Sequence, residues 1–506
     1  MTNLHLSPAE CAALSGLDVY PRSVAETDSA AYFLGRDDKG VRRLGIIQPA
    51  GASFDSAACG LERTVSFDGQ VLTLRLCPTD QAHAAVLRAA FPHLNPQPLG
   101  LSLSVGCGDR LGLATPGHIR AVRGTGIAPV FAQQSIRENA RTGRTPQQVL
   151  DDATWAVFQE GWREPWGADA DHLKTPADID ACAAAGFTMY TIDPGDHVDN
   201  AAQTAVLADL RARFHALPWD VLEDSPATME TRYRDRAFDL RDVTLDALTF
   251  DESTFLRAAA KYGRAIAHVV QMTRHLAGVM GDHSNYEVEV SVDETETPTS
   301  PAEHVFIASE LRRLEVHWIS LAPRFVGRFE KGVDYIGDLD VFEAEFARHA
   351  AVAWRLGPYK LSLHSGSDKF SIYPIVARHA RGLVHLKTAG TGYLEALRAV
   401  AGFDPALFRD ILALARARYE TDRATYHVSA AVGWVPSPGA LRDDDLPALL
   451  DDFHAREVLH VTFGSVLAAC GERLRAALDA HEKAHYAALE AHFQRHLAPF
   501  IEPLSA

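Results

Sequence analysis

The stretch YKLSLHSGSDKFSIYPIVARHARGLVHLKT, residues 359–388, reads as one unit: strand, loop, helix, strand. In its first strand, YKLSLHS (359–365), Leu361 and Leu363 alternate with Lys360, Ser362 and His364. In its second, GLVHLKT (382–388), Val384 and Leu386 alternate with His385 and Lys387. Successive side chains of a strand point to opposite faces, so each strand has one apolar and one polar face. A helix between two strands makes them parallel neighbours with the apolar faces under the helices.

Working outward, the same unit recurs. GLSLSVG (100–106), APVFAQQ (128–134), PWGADAD (165–171), FTMYTID (187–193), YEVEVSVD (286–293) and VHWISLA (316–322) are strand-like, and helix-like segments follow them. Examples are TPQQVLDDATWAVFQEGW, PADIDACAAAG and PAEHVFIASELRRL. Eight strands alternating with helices predict an α/β chain built on a (β/α)₈ barrel over residues 99–400. The connection 194–285 is long and predicts extra helices over one rim. Ahead of the barrel, residues 1–98 read as a mostly-β region, with hairpin turns at DDKG and FDGQ. Behind it, residues 401–506 read as a mainly helical extension, interrupted by YHVSAAVGW (426–434) and EVLHVTFGSV (457–466). Its histidines His481, His485, His492 and His496 fall in a periodic helix and are expected to be packed or solvated rather than ligands.

Composition narrows the function classes. The chain has 506 residues, 47% hydrophobic and 23% charged, with a net charge of −17. That balance disfavours nucleic acid, which needs clustered Lys and Arg. No apolar run reaches membrane-spanning length, and the start MTNLHLSPAECAAL does not read as a signal peptide. Cys11, Cys59, Cys77, Cys107, Cys182 and Cys470 show no CxxC spacing, which argues against a zinc ribbon or a disulfide framework and leads to a cytoplasmic expectation. A small anionic substrate would need local positive charge against this background.

HLKT occurs twice, in DHLKTPADID (171–180) and VHLKTAGTGY (384–393). Both copies end predicted strands and open toward the same barrel mouth, so they read as two walls of one site. Strand parity turns Lys360, Ser362, His364, His385 and Lys387 inward, together with Glu289, Ser291, Asp293, Asp169 and Asp171. Barrel interiors are ordinarily filled with branched apolar layers, and buried charge is costly unless paired or metal-bound. Charged strand ends therefore predict a site.

His172, His364 and His385 form a candidate site for one divalent ion, with Zn, Mn, Ni or Co suited to imidazole. His172 has the opposite parity to Asp171 and belongs only if the strand end twists out of alternation. Asp171 and Glu294 are the candidate proton acceptor and donor. Arg110, Arg324, Lys369 and Lys387 are candidates for holding a carboxylate, and Gln134, Ser135 and Asp368 for holding hydroxyls. The set predicts a polyhydroxylated small molecule such as a sugar acid, with no nucleotide, nucleic-acid or membrane partner, and leaves a homo-oligomer open. Two competing readings remain: a lyase using Lys387 or Lys360 as a Schiff-base nucleophile, and a non-catalytic sugar-acid binder.

Several blocks resemble the tagaturonate epimerase family. They are GDRLGLATPGHI (108–119), FAQQSIRENARTGRTPQQVLDDATW (131–155), WGADADHLKT (166–175), YTIDPGDHVDN (190–200) and SVDETETPT (291–299). LAPRFVG (321–327), YKLSLHSGSDKFSIYP (359–374), HLKTAGTGYLEALR (385–398) and, more weakly, HVTFGSVL (460–467) extend the likeness. The resemblance implies a metal-dependent C4-epimerase interconverting D-tagaturonate and D-fructuronate. It also fits His172 as a ligand and Asp171 and Glu294 as the acid/base pair. C4 of a 2-ketose is not acidic, so the economical route is retro-aldol cleavage of C3–C4, rotation of the aldehyde and re-addition.

Overall fold

The computed structural model describes residues 4–52, 59–239 and 247–501. Eight parallel strands close a barrel: β1 (Ser104–Gly106), β2 (Ala128–Ser135), β3 (Gly167–Leu173), β4 (Met189–Ile192), β5 (Glu287–Val292), β6 (Ser320–Pro323), β7 (Lys360–Leu363) and β8 (Val384–Lys387). They are ordered by sequence, and β8 pairs with β1 through His385↔Ser104 and Lys387↔Gly106. Each lies within or overlaps its predicted window. The alternation has the expected cause: Val288, Val290, Leu361, Leu363, Val384 and Leu386 join the apolar core, while Glu289, Lys360, Ser362, His385 and Lys387 are buried polar groups.

The helices that follow the strands start on clear local signals. Thr145 with Gln148, Thr175 with Asp178, and Ser300 with Glu303 each form a reciprocal capping box ahead of a proline. Such caps satisfy the first free amide groups of a helix and fix where it begins. The connection between β4 and β5 carries short helices, the 29-residue helix Glu252–Met280 and a two-stranded ribbon, Arg236–Asp239 with Ala247–Phe250.

The N-terminal region forms an antiparallel sheet, with hairpins Ala31–Arg36/Arg42–Pro49 and Leu61–Phe67/Gln70–Pro78 at the predicted turns. Period-two alternation divides its faces. Tyr32, Leu34, Leu44 and Ile46 join the barrel core, whereas Ala31, Phe33, Ile47, Leu72 and Leu74 pack with Leu6 and Cys11 under the first helix, Pro8–Ser15. Scattered spacing does not keep every cysteine free. Cys59 and Cys77 are joined as a disulfide, because the pairing Leu61↔Leu76 brings the two ends of one hairpin side by side. Their separation of 18 residues matches no short motif.

The extension is helical, and EVLHVTFGSV adds no strand to it: its residues lie in helices Phe453–Val461 and Phe463–Ala480, with Thr462 as the cap between them. YHVSAAVGW is a connecting segment with one turn of 3₁₀ helix, Val432–Trp434. The last helix, Glu482–Ile501, lies along Thr115–Val122 so closely that a Cβ on Gly117 would sit 2.7 Å from Leu489 Cβ. Arg36 of the N-terminal sheet reaches the same extension, pairing with Asp479 at 2.7 Å and Glu482 at 2.6 Å. No helix among the described residues is long and apolar enough to cross a membrane.

Candidate active site

The C-terminal ends of β3, β5 and β8 converge on one ammonium group. Lys387 Nζ lies 2.8 Å from Asp169 Oδ2, 2.7 Å from Asp171 Oδ1 and 2.8 Å from Glu289 Oε1, and donates to Thr191 Oγ1 at 2.7 Å. Burial alone would deprotonate the lysine, but the three carboxylates outweigh it and hold its pKa well above the ordinary range. A protonated amine has no lone pair for a Schiff base. Lys360 is also buried, one strand away and deeper, donating to Ser104 Oγ at 3.1 Å.

Beside this cluster stand two imidazoles. His364 Nε2 is 2.6 Å from Glu289 Oε1 and its Nδ1 is 3.1 Å from Asp293 Oδ1, whose carboxylate also accepts from the Ser291 hydroxyl. His172 Nδ1 is 3.2 Å from Asp193 Oδ2, and its ring meets that of His364 edge-on at 4.9 Å. His172 escapes the parity of β3 because its φ is +55°, a left-handed conformation that breaks the alternation at the strand end. For a bulky residue this costs about 1–3 kcal/mol, and such strain concentrates at functional sites.

The electrostatic balance is lopsided. Burial opposes charge on both histidines, yet the surrounding carboxylates push His172 up to about 10 and His364 up to about 9. Burial likewise opposes ionisation of Asp171 and Asp293, but Lys387 and the imidazoles hold Asp171, and the imidazoles with the Ser291 hydroxyl hold Asp293, below the usual carboxylate range. Asp169, by contrast, is raised to about 6 by burial and by its acidic neighbours. Glu289 Oε2 and Gln133 Oε1 are buried with no hydrogen-bond partner among the described residues. A site with more carboxylate than cation, and with unsatisfied oxygens, suits a bound cation.

Asp171, His172 and His364 offer ligand atoms that all lie within 4.8 Å of one another, and His172, Asp193 and Glu294 form an adjoining set. Nitrogen and oxygen donors of this kind fit Zn, Mn, Ni or Co. His385, the third expected ligand, does not join them. Parity turned it inward as expected, but two residues below Lys387 it lies a layer deeper, with Nδ1 2.9 Å from Ser104 Oγ. Burial there holds its imidazole down to about 3.

The pocket above is lined by Asp171, His172, Asp293, Glu294, His364 and Lys387, with Arg110, Gln133 and Ser135. Glu294 is held by Arg137 at 2.6 Å. Arg110 binds Glu138 through Nε at 3.1 Å and stacks over Phe463, its guanidinium carbon 3.8 Å from the ring centre. Ser135 lines the pocket but also caps the next helix, accepting from Glu138 N at 3.1 Å. Gln134 is buried outside this lining, its amide unpartnered among the described residues. Arg324 lines an adjoining lobe that shares Asp293, Glu294 and His364 with the pocket.

Asp368 and Lys369 turn away from the pocket. Asp368 is left-handed, at φ +62°, and its carboxylate meets Arg456 at 2.7 Å and His492 at 2.5 Å. Lys369 Nζ donates to the carbonyls of Glu330, Val333 and Ser367, at 2.8, 2.5 and 3.0 Å. Burial brings its amine down to about 7. These two fasten the loop after β7 rather than face a ligand in the pocket. The structure adds residues that sequence reasoning did not select: Arg141, Lys331, Tyr426 and His460. Tyr426 and His460 come from the extension, beyond the reach of strand parity, although His460 begins the HVTFGSVL block.

Comparison with known proteins gives the family. The tagaturonate epimerase family model matches residues 20–500. A tagaturonate/fructuronate epimerase of Thermotoga maritima is 43% identical over 484 residues, covering 95% of this chain and 96% of the relative. Crystal structures of the fructuronate-tagaturonate epimerase of Cohnella laeviribosi are also similar. The native form superposes with a TM-score of 0.87 at 38% identity, covering 96% of this chain and 97% of that one. A form complexed with one glycerol gives 0.87 and 38%, with 96% of each chain covered. With the match running from the N-terminal sheet to the last helix, the chain belongs to the tagaturonate epimerase family.

Proposed function

We propose that this chain is an isomerase that interconverts D-tagaturonate and D-fructuronate by inverting C4, with one divalent ion at the barrel mouth. Family membership supports the substrate, and the buried excess of carboxylate around His172 and His364 is the observation that carries the metal. His172 and His364, with a carboxylate beside them, would hold the ion, which when bound would supply Lewis acidity toward the substrate's keto oxygen.

The chain's own groups then handle protons and position. Asp171 and Glu294 line the pocket from the ends of β3 and β5. Inversion moves the C4 oxygen from one side of the carbon chain to the other, so acid and base on different walls suit it. One takes the C4 hydroxyl proton as the C3–C4 bond breaks. The freed aldehyde turns, the bond re-forms, and the other returns a proton to the inverted oxygen. Lys387 stays protonated among its carboxylates and places a fixed positive charge beside the reacting oxygens. Arg110 and Ser135 bind the substrate's polar groups along the pocket wall.

Conversion of D-tagaturonate in D₂O, followed by NMR, tests this reading. The expected product is D-fructuronate that retains protium at C4, because only hydroxyl protons exchange. Absence of conversion with every metal tried would overturn the function. Deuterium at C4 would overturn the retro-aldol route.

A further inference from the structure

The pocket's cations are not equally engaged. Lys387 is surrounded by carboxylates and Arg137 is bound to Glu294. Arg141 donates to the Tyr426 hydroxyl. Lys331, in the loop after β6, donates to Ser365 Oγ at 2.6 Å and has no carboxylate within 4.0 Å among the described residues. Arg110 spends Nε and Nη2 on Glu138, and its buried Nη1 has no partner among the described residues.

A third polar group completes this corner. His460, on the helix Phe453–Val461, is 1% exposed and lines the pocket, and its Nδ1 has no hydrogen-bond partner among the described residues. Two glycines make room for its ring. A Cβ on Gly390 would lie 2.0 Å from His460 Nε2, and one on Gly332 would lie 3.2 Å from its Cδ2. Gly390 opens the 13-residue helix Thr391–Phe403, which has no side-chain cap, and the buried Thr391 hydroxyl lacks a hydrogen-bond partner too. Helix N-termini favour anions, through free amide groups and the helix dipole.

We propose that Lys331 determines specificity for a carboxylate-bearing substrate, seating that carboxylate with Arg110 and His460 against the start of the helix Thr391–Phe403. The proposal rests on the sugar-acid reading above and names the part of the pocket that recognises the acid. Burial and the neighbouring cations Arg110 and Lys331 keep the His460 imidazole neutral, so it offers one N–H without adding charge. A neutral ketohexose, with CH₂OH in place of the acid, would leave these donors short of an acceptor. With the reacting carbons placed by His172 and His364, this contact acts chiefly on binding.

The test compares Lys331→Met with wild type on D-fructuronate and on D-fructose, as metal-loaded proteins. The acid should lose on the order of 10- to 100-fold more in kcat/KM than the neutral sugar, mostly through KM, the factor one charge-assisted hydrogen bond commands. Lys331→Arg should recover much of it. Equal losses on both sugars would overturn the proposal and make Lys331 a support for Ser365. Calorimetric binding of D-gluconate separates this from the activity reading. If wild type turns over no hexuronate yet binds gluconate tighter than Lys331→Met does, the epimerase reading falls and the carboxylate seat stands. Equal gluconate affinity in the two proteins would sink the seat.

Discussion

Two buried clusters in this molecule share a composition and differ in what they can do. At the barrel mouth, Asp171, His172 and His364 bring ligand atoms within 4.8 Å of one another, and so do Asp368, His492 and His496 under the last helix. In the second cluster the charge is already balanced. Arg456 lies 2.7 Å from Asp368, which holds its carboxyl below the usual range against the effect of burial. His496 Nε2 accepts from the Asp368 amide at 2.9 Å, and His492 Nδ1 is 3.3 Å from Glu395. Asp368 Oδ1 meets His492, and Asp368 Oδ2 faces the Arg456 guanidinium. At the mouth, carboxylates outnumber the fixed cation and the cluster opens into a pocket. Spacing of histidine and aspartate is common to both clusters; unbalanced charge with access is what makes the open one the candidate for a cation.

The largest expected effect falls on the two candidate ligands that separate the open cluster from the closed one. His172→Ala or His364→Ala should remove bound metal and lower turnover by at least about 10³-fold, since a catalytic metal supplies several kcal/mol. His492→Ala and His496→Ala should leave metal content at the wild-type level, as read by elemental analysis of the purified proteins. Next come the proton-transfer groups. Asp171→Asn and Glu294→Gln should each cut kcat by ~10²–10⁴ while substrate still binds; unchanged kcat in either would remove that residue from the chemistry.

In the closed cluster the effect moves from rate to stability. Arg456→Met leaves Asp368 buried without its guanidinium and should cost about 3–5 kcal/mol in chemical denaturation, with metal content unchanged. Asp368→Asn in the same chain should recover part of the loss.

The smallest effect concerns Glu457, on the same helix as Arg456. Burial and the neighbouring Glu330 raise its carboxyl to about 8. Below the unfolded carboxylate pKa, both states are protonated. As pH rises from ~4.5 toward 8 the unfolded chain loses this proton while the folded one keeps it, so stability declines over that window. Glu457→Gln should flatten the decline in melting temperature between pH 5 and 8; an unchanged slope would assign it to other groups.

What the sequence made legible follows from what strand alternation can say. It turned Asp171, Glu289, His364, His385 and Lys387 inward and located all eight strands, because each apolar face had to meet a helix layer. Alternation carries no information on depth, so it cannot separate His385 from the candidate ligands that lie above it. Nor does it foresee a left-handed residue: φ +55° brings His172 to the site, and φ +62° accompanies the turn of Asp368 away from it. Lys331, Tyr426 and His460 come from a loop and an extension that meet the barrel only on folding. The Cys59–Cys77 pair was hidden for a similar reason, since a hairpin register creates it.

If the open cluster makes this barrel a metal-dependent epimerase of a sugar acid, turnover must follow a divalent ion. The most direct measurement incubates the protein with D-tagaturonate before and after chelation and follows both hexuronates by NMR. D-Fructuronate is expected to appear, to stop forming after chelation and to form again when a divalent ion is restored. Conversion that continues undiminished after complete chelation would contradict a role for the metal.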